Sequence, residues 1–164
     1  MVVDVARIIK HDGASQNVEI SKIIDDISDI FTGYSFNRPV RFSGSIVNDK
    51  GILKLTGVIE TVYSAQCGRC LSEMEIGVSL AVREFIYGEP PEEDSEAYTY
   101  AGKTVDMEQI IKDNIILNLP VRQICSDDCI GLCSECGTNL NIASCDCKKE
   151  SSDPRLEVLN KLKQ

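Results

Sequence analysis

The sequence contains no tryptophan, few other aromatic residues and a single histidine among 164 residues. That histidine, His11, precedes Asp12-Gly13, a pair typical of a turn, so a Ser-His or Cys-His catalytic base has one poor candidate. No stretch approaches the roughly 18 to 20 uncharged apolar residues that a membrane-spanning helix requires. Arg7 and Lys10 interrupt the start, which is not expected of an export signal. We therefore expect a soluble, cytoplasmic protein.

Positive charge is also scarce. The chain has 17 lysines and arginines against 26 aspartates and glutamates, a formal net charge of −9 at pH 7. Residues 89–96 alone carry five acids and no base, as in a solvated loop. This balance disfavours nonspecific binding to phosphates, so any contact with RNA has to be local. The candidate RNA or partner contacts are Arg69, Arg122, Lys148, Lys149 and Arg155.

The spacing of apolar residues predicts both helices and strands. A helical period in Ile20, Ile23, Ile24, Ile27, Ile30 and Phe31 predicts an amphipathic helix over residues 20–31. Alternation over residues 38–87 predicts three antiparallel strands, separated by Asn48-Asp49-Lys50-Gly51 and by Cys67–Cys70. A further short strand is expected at Ala97–Ala101.

A second helix is predicted over residues 106–119. Asp106 is its expected N-cap and Gln109 the partner in a capping box, while Pro120 ends it. Its apolar stripe is expected to pack on the sheet and contains Met107, Ile110, Ile111, Ile115 and Leu117.

These elements predict an α+β fold, with an antiparallel β meander or partly open barrel and flanking helices. We expect this body to occupy residues 1–120. Residues 121–149 are rich in cysteine and poor in large apolar side chains, so a cross-link has to replace a core there. A short terminal helix is predicted over residues 150–164, with Asp153-Pro154 at its start.

The eight cysteines are numerous for a chain without an expected export signal. A reducing cytosol makes structural disulfides improbable and favours metal ligation. Cys133 and Cys136 stand in a C-x-x-C-G turn, and Cys145 and Cys147 return after eight residues. Four thiolates without a histidine indicate a closed, structural zinc site.

The other four cysteines could form a second zinc site. Cys67 and Cys70 form a C-x-x-C pair between two predicted strands, and Cys125 and Cys129 remain to complete the set. Other partitions stay open, because Cys129 and Cys133 are only four residues apart. Cys67 and Cys70 could instead be a redox pair, although that function requires a helix N-terminus in a βαβ unit. Each four-thiolate zinc site carries a charge of −2, so two sites would take the chain from −9 to −13.

The order of these motifs resembles the bacterial YceD family, the large ribosomal RNA subunit accumulation proteins. The resemblance rests on Cys67-Gly-Arg-Cys70-Leu71, then Cys125-x3-Cys129-x-Gly131-Leu132-Cys133-x2-Cys136-Gly137-x-Asn139-Leu140-Asn141, then Cys145-x-Cys147, and Asp153-Pro154-Arg155-Leu156. It implies a cytoplasmic, non-enzymatic protein that supports accumulation of 23S ribosomal RNA and assembly of the large subunit. The implied partner is pre-ribosomal RNA or a ribosomal protein, with no membrane and no small-molecule substrate.

Two other functional classes compete with this expectation. One is a thiol–disulfide redox protein that uses Cys67 and Cys70. The other is a zinc-stabilised protein interaction module unrelated to ribosomes. A metal-dependent hydrolase is improbable, because a catalytic zinc needs an open coordination position and a nearby general base.

Overall fold

The computed structural model describes residues 1–24 and 34–147. It contains two compact units. Of the described residues, the first unit comprises 1–24, 34–66 and 73–123, and the second comprises 67–72 and 124–147. Within the described residues, no helix has the length and apolarity needed to cross a membrane.

The larger sheet of the first unit is open and antiparallel. In the described residues its strands are β2 (Ser15–Lys22), β3 (Tyr34–Ser35), β4 (Val40–Asp49), β5 (Ile52–Gln66) and β6 (Glu73–Ile86). The central strand β5 pairs with β6 on one edge, and with β4 and β3 on the other; β2 pairs with the far edge of β4. The predicted meander over residues 38–87 is confirmed as β4–β5–β6.

One face of this sheet forms the core, because successive residues of a strand point to opposite faces. Leu53, Leu55, Ile59 and Tyr63 on β5 are buried, as the alternation predicts. Asn48 is buried at the end of β4, where its amide nitrogen donates to the carbonyl oxygens of residues 8, 9 and 11. Asn48 therefore connects the end of β4 to residues 8–11.

A smaller sheet and two short helices complete the described part of the first unit. Strand β1 (Val2–Asp4) pairs with β7 (Thr104–Asp106), and helix α1 (Ala6–Ile9) follows β1. Helix α2 (Met107–Asn118) contributes Met107, Ile110, Ile111 and Ile115 to the core. Its Asn114 donates to Glu84 of β6 at 2.9 Å, so the predicted packing of this helix on the sheet is confirmed. The fold is α+β, as expected.

Several local predictions are wrong. Ile20 lies in strand β2, so no helix begins there; residues 25–31 of that predicted helix lie outside the described residues. The predicted strand Ala97–Ala101 is reduced to isolated bridges at Thr99 and Ala101. The terminal helix predicted over residues 150–164 also lies outside the described residues.

The prediction of the second helix is correct in its position but not in all of its contacts. Asp106 caps it as predicted, since its carboxylate accepts from the backbone N–H of Glu108. Gln109 does not complete a capping box; its amide donates to Asp113 instead. Leu117 is 81% exposed and therefore does not belong to the apolar stripe.

Two glycines allow β4 and β5 to pack beneath an aromatic ring. Gly44 and Gly57 are paired across the strands. A Cβ on Gly57 would lie 2.6 Å from Cζ of Phe42 and 2.6 Å from the carbonyl oxygen of Ser43. Phe42 is only 2% exposed, so its ring has little room to move away.

We predict that Gly57→Ala destabilises the first unit by about 1 to 3 kcal/mol, because the methyl group overpacks the core against Phe42. Gly77→Ala is the matched control: Gly77 also lies within a strand, but a Cβ there meets nothing within 4 Å. Denaturant unfolding of the two variants would contradict the prediction if Gly57→Ala were as stable as Gly77→Ala.

Candidate metal centres

The structure brings the eight cysteines together in two groups of four. We call Cys67, Cys70, Cys125 and Cys129 the Cys67 cluster, and Cys133, Cys136, Cys145 and Cys147 the Cys133 cluster. Within each cluster the four sulfur atoms lie within 4.8 Å of one another. The sequence allowed several partitions of the eight cysteines, and the structure contains this one. All eight cysteines belong to the second unit and are free thiols.

The sulfur–sulfur distances suit a shared metal ion. In the Cys67 cluster, Cys67 Sγ lies 3.8 Å from Cys129 Sγ, and Cys70 Sγ lies 3.7 Å from Cys125 Sγ. Four sulfurs about 2.3 Å from a tetrahedral ion are separated by about 3.8 Å. A disulfide would instead require about 2.05 Å. The donor set and its spacing thus fit a four-thiolate metal centre.

A tight turn presents the first two sulfurs of the Cys67 cluster. The backbone N–H of Leu71 donates to the carbonyl oxygen of Cys67 (2.9 Å), and Leu71 takes a positive φ of 58°. The N–H of Cys67 donates to the carbonyl oxygen of Ser72 (2.9 Å). Backbone N–H groups of Arg69 and Cys125 each approach Cys67 Sγ at 3.4 Å.

The pKa values of the Cys67 cluster indicate that a cation is needed for all four thiols to ionise together. Backbone N–H groups, that of Cys70 first, lower the pKa of Cys67 to about 6. The neighbouring sulfurs of Cys129 and Cys70 raise the pKa of Cys125 to about 12. Hydrogen bonds from Ser72 also lower the pKa of Cys70. Ionisation is therefore favoured at Cys67 and Cys70 and opposed at Cys125 by the neighbouring sulfurs. A bound cation would offset this repulsion and allow four thiolates at once.

The Cys133 cluster uses a second tight turn. Gly137 adopts a φ of 72°, and its N–H donates to the carbonyl oxygen of Cys133 at 2.9 Å. Thr138 lies with its hydroxyl 3.1 Å from Cys136 Sγ, a hydrogen bond that lowers the pKa of Cys136 to about 6. Conversely, Cys136 raises the pKa of Cys147 to about 12. This cluster thus repeats the electrostatic pattern of the other.

Cysteines also replace an apolar core in the second unit. Among its described residues, the buried apolar side chains are those of Cys67, Cys70 and Cys129. Ile130 and Ile142 are 67% and 83% exposed. Without an ion, little apolar burial would hold this unit together.

The predicted contact residues differ in their placement. The Arg69 guanidinium donates to the carbonyl oxygens of Asp127 (3.1 Å) and Cys129 (3.0 Å), and so ties the two halves of the Cys67 cluster together. Arg122 is exposed in the first unit, and it makes no hydrogen bond or ion pair within the part of the chain that the structure describes. Lys148, Lys149 and Arg155 lie outside the described residues.

The polar side chains around the sulfurs were not predicted from the sequence. Asn139 and Asn141 were named only as part of the motif that resembles the family, although Asn141 contacts Cys129 Sγ and Asn139 contacts Ser72 beside Cys70. Ser72 and Thr138 were not assigned a role, yet each hydroxyl lies within hydrogen-bond distance of a cysteine sulfur. Hydroxyl and amide side chains close behind C-x-x-C turns were the available signal.

The fold and the two clusters define a class: a small α+β protein whose cysteine clusters could hold metal ions. A profile of the family described as large ribosomal RNA subunit accumulation protein YceD matches residues 55–163, which include all eight cysteines. The chain belongs to the YceD family.

The sequence identity to individual relatives is modest. The chain is 26% identical to an Arabidopsis thaliana protein named large ribosomal RNA subunit accumulation protein YCED homolog 1, chloroplastic, over 87% of this chain and 53% of the relative. An uncharacterized protein of Mycobacterium tuberculosis is 38% identical over 56% of this chain and 46% of its own length. The Bacillus subtilis protein YlbN is 26% identical, over 88% of this chain and 81% of that protein.

The chain thus spans about half the length of the plant and mycobacterial relatives. No solved structure matches it significantly.

We predict that each cluster binds one metal ion. Native mass spectrometry of the reduced chain reconstituted with Zn²⁺ should show two ions per chain. Cys136→Ser/Cys147→Ser should retain one ion, because the Cys67 cluster is intact. Ser134→Ala, a change at an exposed neighbour in the same turn, should retain two. One ion in the unaltered chain would contradict the prediction.

Proposed function

We propose that the protein is a non-enzymatic factor in ribosome biogenesis, which supports 23S rRNA accumulation and large-subunit assembly. The observation that carries the proposal is family membership over residues 55–163. The names of the plant relatives support it, since they refer to accumulation of large-subunit ribosomal RNA. The proposal includes the cytoplasmic location expected from the sequence.

The proposal further assigns zinc to both cysteine clusters. A tetrahedral all-sulfur donor set is typical of zinc or iron–sulfur centres, and closed four-cysteine sites are typical of structural zinc. Four protein ligands leave no open position for water or substrate. The metal centres therefore support a binding protein better than a hydrolase.

The proposed mode of binding is protein contact, or mixed contact with protein and RNA. Two zinc–thiolate sites would increase the negative charge from −9 to −13. A chain of this charge gains no general attraction to phosphate, so RNA alone is a poor source of affinity. The partner is accordingly pre-ribosomal RNA in the presence of ribosomal protein, or a ribosomal protein itself.

The redox alternative has less support in the geometry. A thioredoxin-like pair needs its first cysteine at a helix N-terminus. Cys67 and Cys70 instead lie in the turn that connects β5 to β6 in the sequence. The low pKa of Cys67 is equally suited to metal ligation, since thiolate is the ligand form.

Affinity purification from cells, followed by sequencing of RNA and identification of proteins, tests the proposed function. The tagged chain should enrich 23S rRNA or its precursors together with large-subunit proteins, and the enrichment should depend weakly on salt. An unrelated tagged protein of similar charge is the control. Absence of both large-subunit RNA and large-subunit proteins would contradict the proposal.

We further predict that removal of zinc unfolds the second unit and leaves the first unit intact. Structural zinc sites contribute on the order of 10 kcal/mol to folding, whereas the first unit has its own apolar core. Hydrogen exchange with and without chelator should show lost protection in residues 67–72 and 124–147 alone. Equal protection of those residues in both states would argue against a structural metal.

A further inference from the structure

The two clusters are joined by hydrogen bonds within the second unit. Asn141 lies in the segment between Cys136 and Cys145. Its amide nitrogen donates to Cys129 Sγ at 3.4 Å, and its amide oxygen accepts from the backbone N–H of Ile130 at 2.8 Å. A side chain belonging to one cluster's loop thus touches a sulfur of the other cluster.

Asn139 makes a second, indirect connection. Its amide oxygen accepts from the backbone N–H and the side-chain amide of Asn141, at 3.0 and 2.9 Å. Its amide nitrogen donates to the hydroxyl of Ser72 at 3.3 Å, and that hydroxyl lies 3.4 Å from Cys70 Sγ. The pair of asparagines therefore reaches two sulfurs of the Cys67 cluster.

Backbone hydrogen bonds keep the same segments together. The N–H of Leu132 donates to the carbonyl oxygen of Arg69 (3.1 Å), and the N–H of Leu140 donates to that of Gly131 (2.9 Å). Gly131 has a φ of 86°, and a Cβ at this position would lie 3.0 Å from the Arg69 carbonyl oxygen. The close approach and the positive φ both disfavour a side chain at residue 131.

The loop that carries both asparagines is held by hydrogen bonds, such as that from the N–H of Ile142 to the carbonyl oxygen of Asn139 (3.1 Å), and not by apolar burial. None of its residues between Gly137 and Ser144 is buried. Its two ends, however, are adjacent to Cys136 and Cys145, whose sulfurs belong to the Cys133 cluster. A metal in that cluster would fix both ends and so hold the asparagines in place.

We propose that metal binding at the Cys133 cluster strengthens metal binding at the Cys67 cluster, with Asn141 and Asn139 as the positioning residues. The proposal rests on the assignment of metal to both clusters. Hydrogen bonds from amide donors disperse thiolate charge, and such outer-shell partners commonly change metal affinity 10- to 100-fold. Linkage is reciprocal, so a metal in the Cys67 cluster strengthens the other site by the same factor.

Metal release by a graded chelator tests the coupling, with the two sites distinguished by alkylation and peptide mass spectrometry. We expect Cys136→Ser/Cys147→Ser to lose metal from the Cys67 cluster at a free-zinc concentration roughly 5- to 150-fold higher than the unaltered chain does. An affinity within twofold of that of the unaltered chain would overturn the proposal.

Asn141→Asp provides a variant that retains all eight cysteines. It keeps the oxygen that accepts from Ile130 and removes the donor to Cys129 Sγ. We expect the Cys67 cluster to lose affinity by about 10- to 100-fold. Ile142→Ala is the matched control, because Ile142 is the adjacent residue in the loop and is 83% exposed. Equal affinities in the two variants would contradict the role of Asn141.

These measurements also distinguish a failure of the coupling from a failure of the zinc assignment on which it rests. An unaltered chain that binds no metal at either cluster would refute the zinc assignment and the coupling with it. Two ions that dissociate independently from the unaltered chain, together with an unchanged affinity of the Cys67 cluster in both variants, would refute the coupling while the zinc assignment stood.

Discussion

Closely spaced thiolates repel one another, and the second unit can hold two groups of them only if that repulsion is offset. Each cluster places four sulfur atoms within 4.8 Å of one another, and each contains at least one thiol with a lowered pKa and another thiol whose pKa is raised to about 12. Such an arrangement becomes favourable when a cation neutralises the charge. The buried apolar positions of this unit's described residues are cysteines, so the same ion would also supply its cohesion.

The first unit is stabilised in a different way. Its open sheet buries alternating side chains of β4 and β5 in one core cluster with the apolar residues of helix α2. Gly44 and Gly57 let the ring of Phe42 lie against the paired strands. The chain thus combines a conventional apolar core with a unit organised around sulfur, and the family profile covers parts of both. For the proposed role in ribosome assembly, the all-cysteine ligand sets support a structural rather than a catalytic use of the metal.

Local patterns in the sequence predicted the structure correctly where a single physical rule determined it. Alternation predicted the buried face of β5, and the side chain of Asp106 predicted the start of α2. The predicted helical start at Ile20 is wrong because residues 20–22 pair with β4 instead, with Ile20 opposite Phe42. The prediction that Leu117 belongs to the buried face was wrong, because the spacing of apolar residues along a helix does not show where the surface that covers them ends. The pairing of Cys67 and Cys70 with Cys125 and Cys129 needed the fold, since spacing alone allowed other partitions. The contact of Asn141 with Cys129 Sγ and that of Asn139 with Ser72 likewise depend on how the chain returns on itself.

A closed metal site with sulfur ligands only is proposed for each cluster. X-ray absorption spectroscopy at the zinc edge of the purified, reduced chain can identify the ligand atoms. We expect four sulfur ligands per zinc at about 2.3 Å and no nitrogen or oxygen ligand. A first shell containing nitrogen or oxygen, or fewer than four sulfurs per ion, would contradict it.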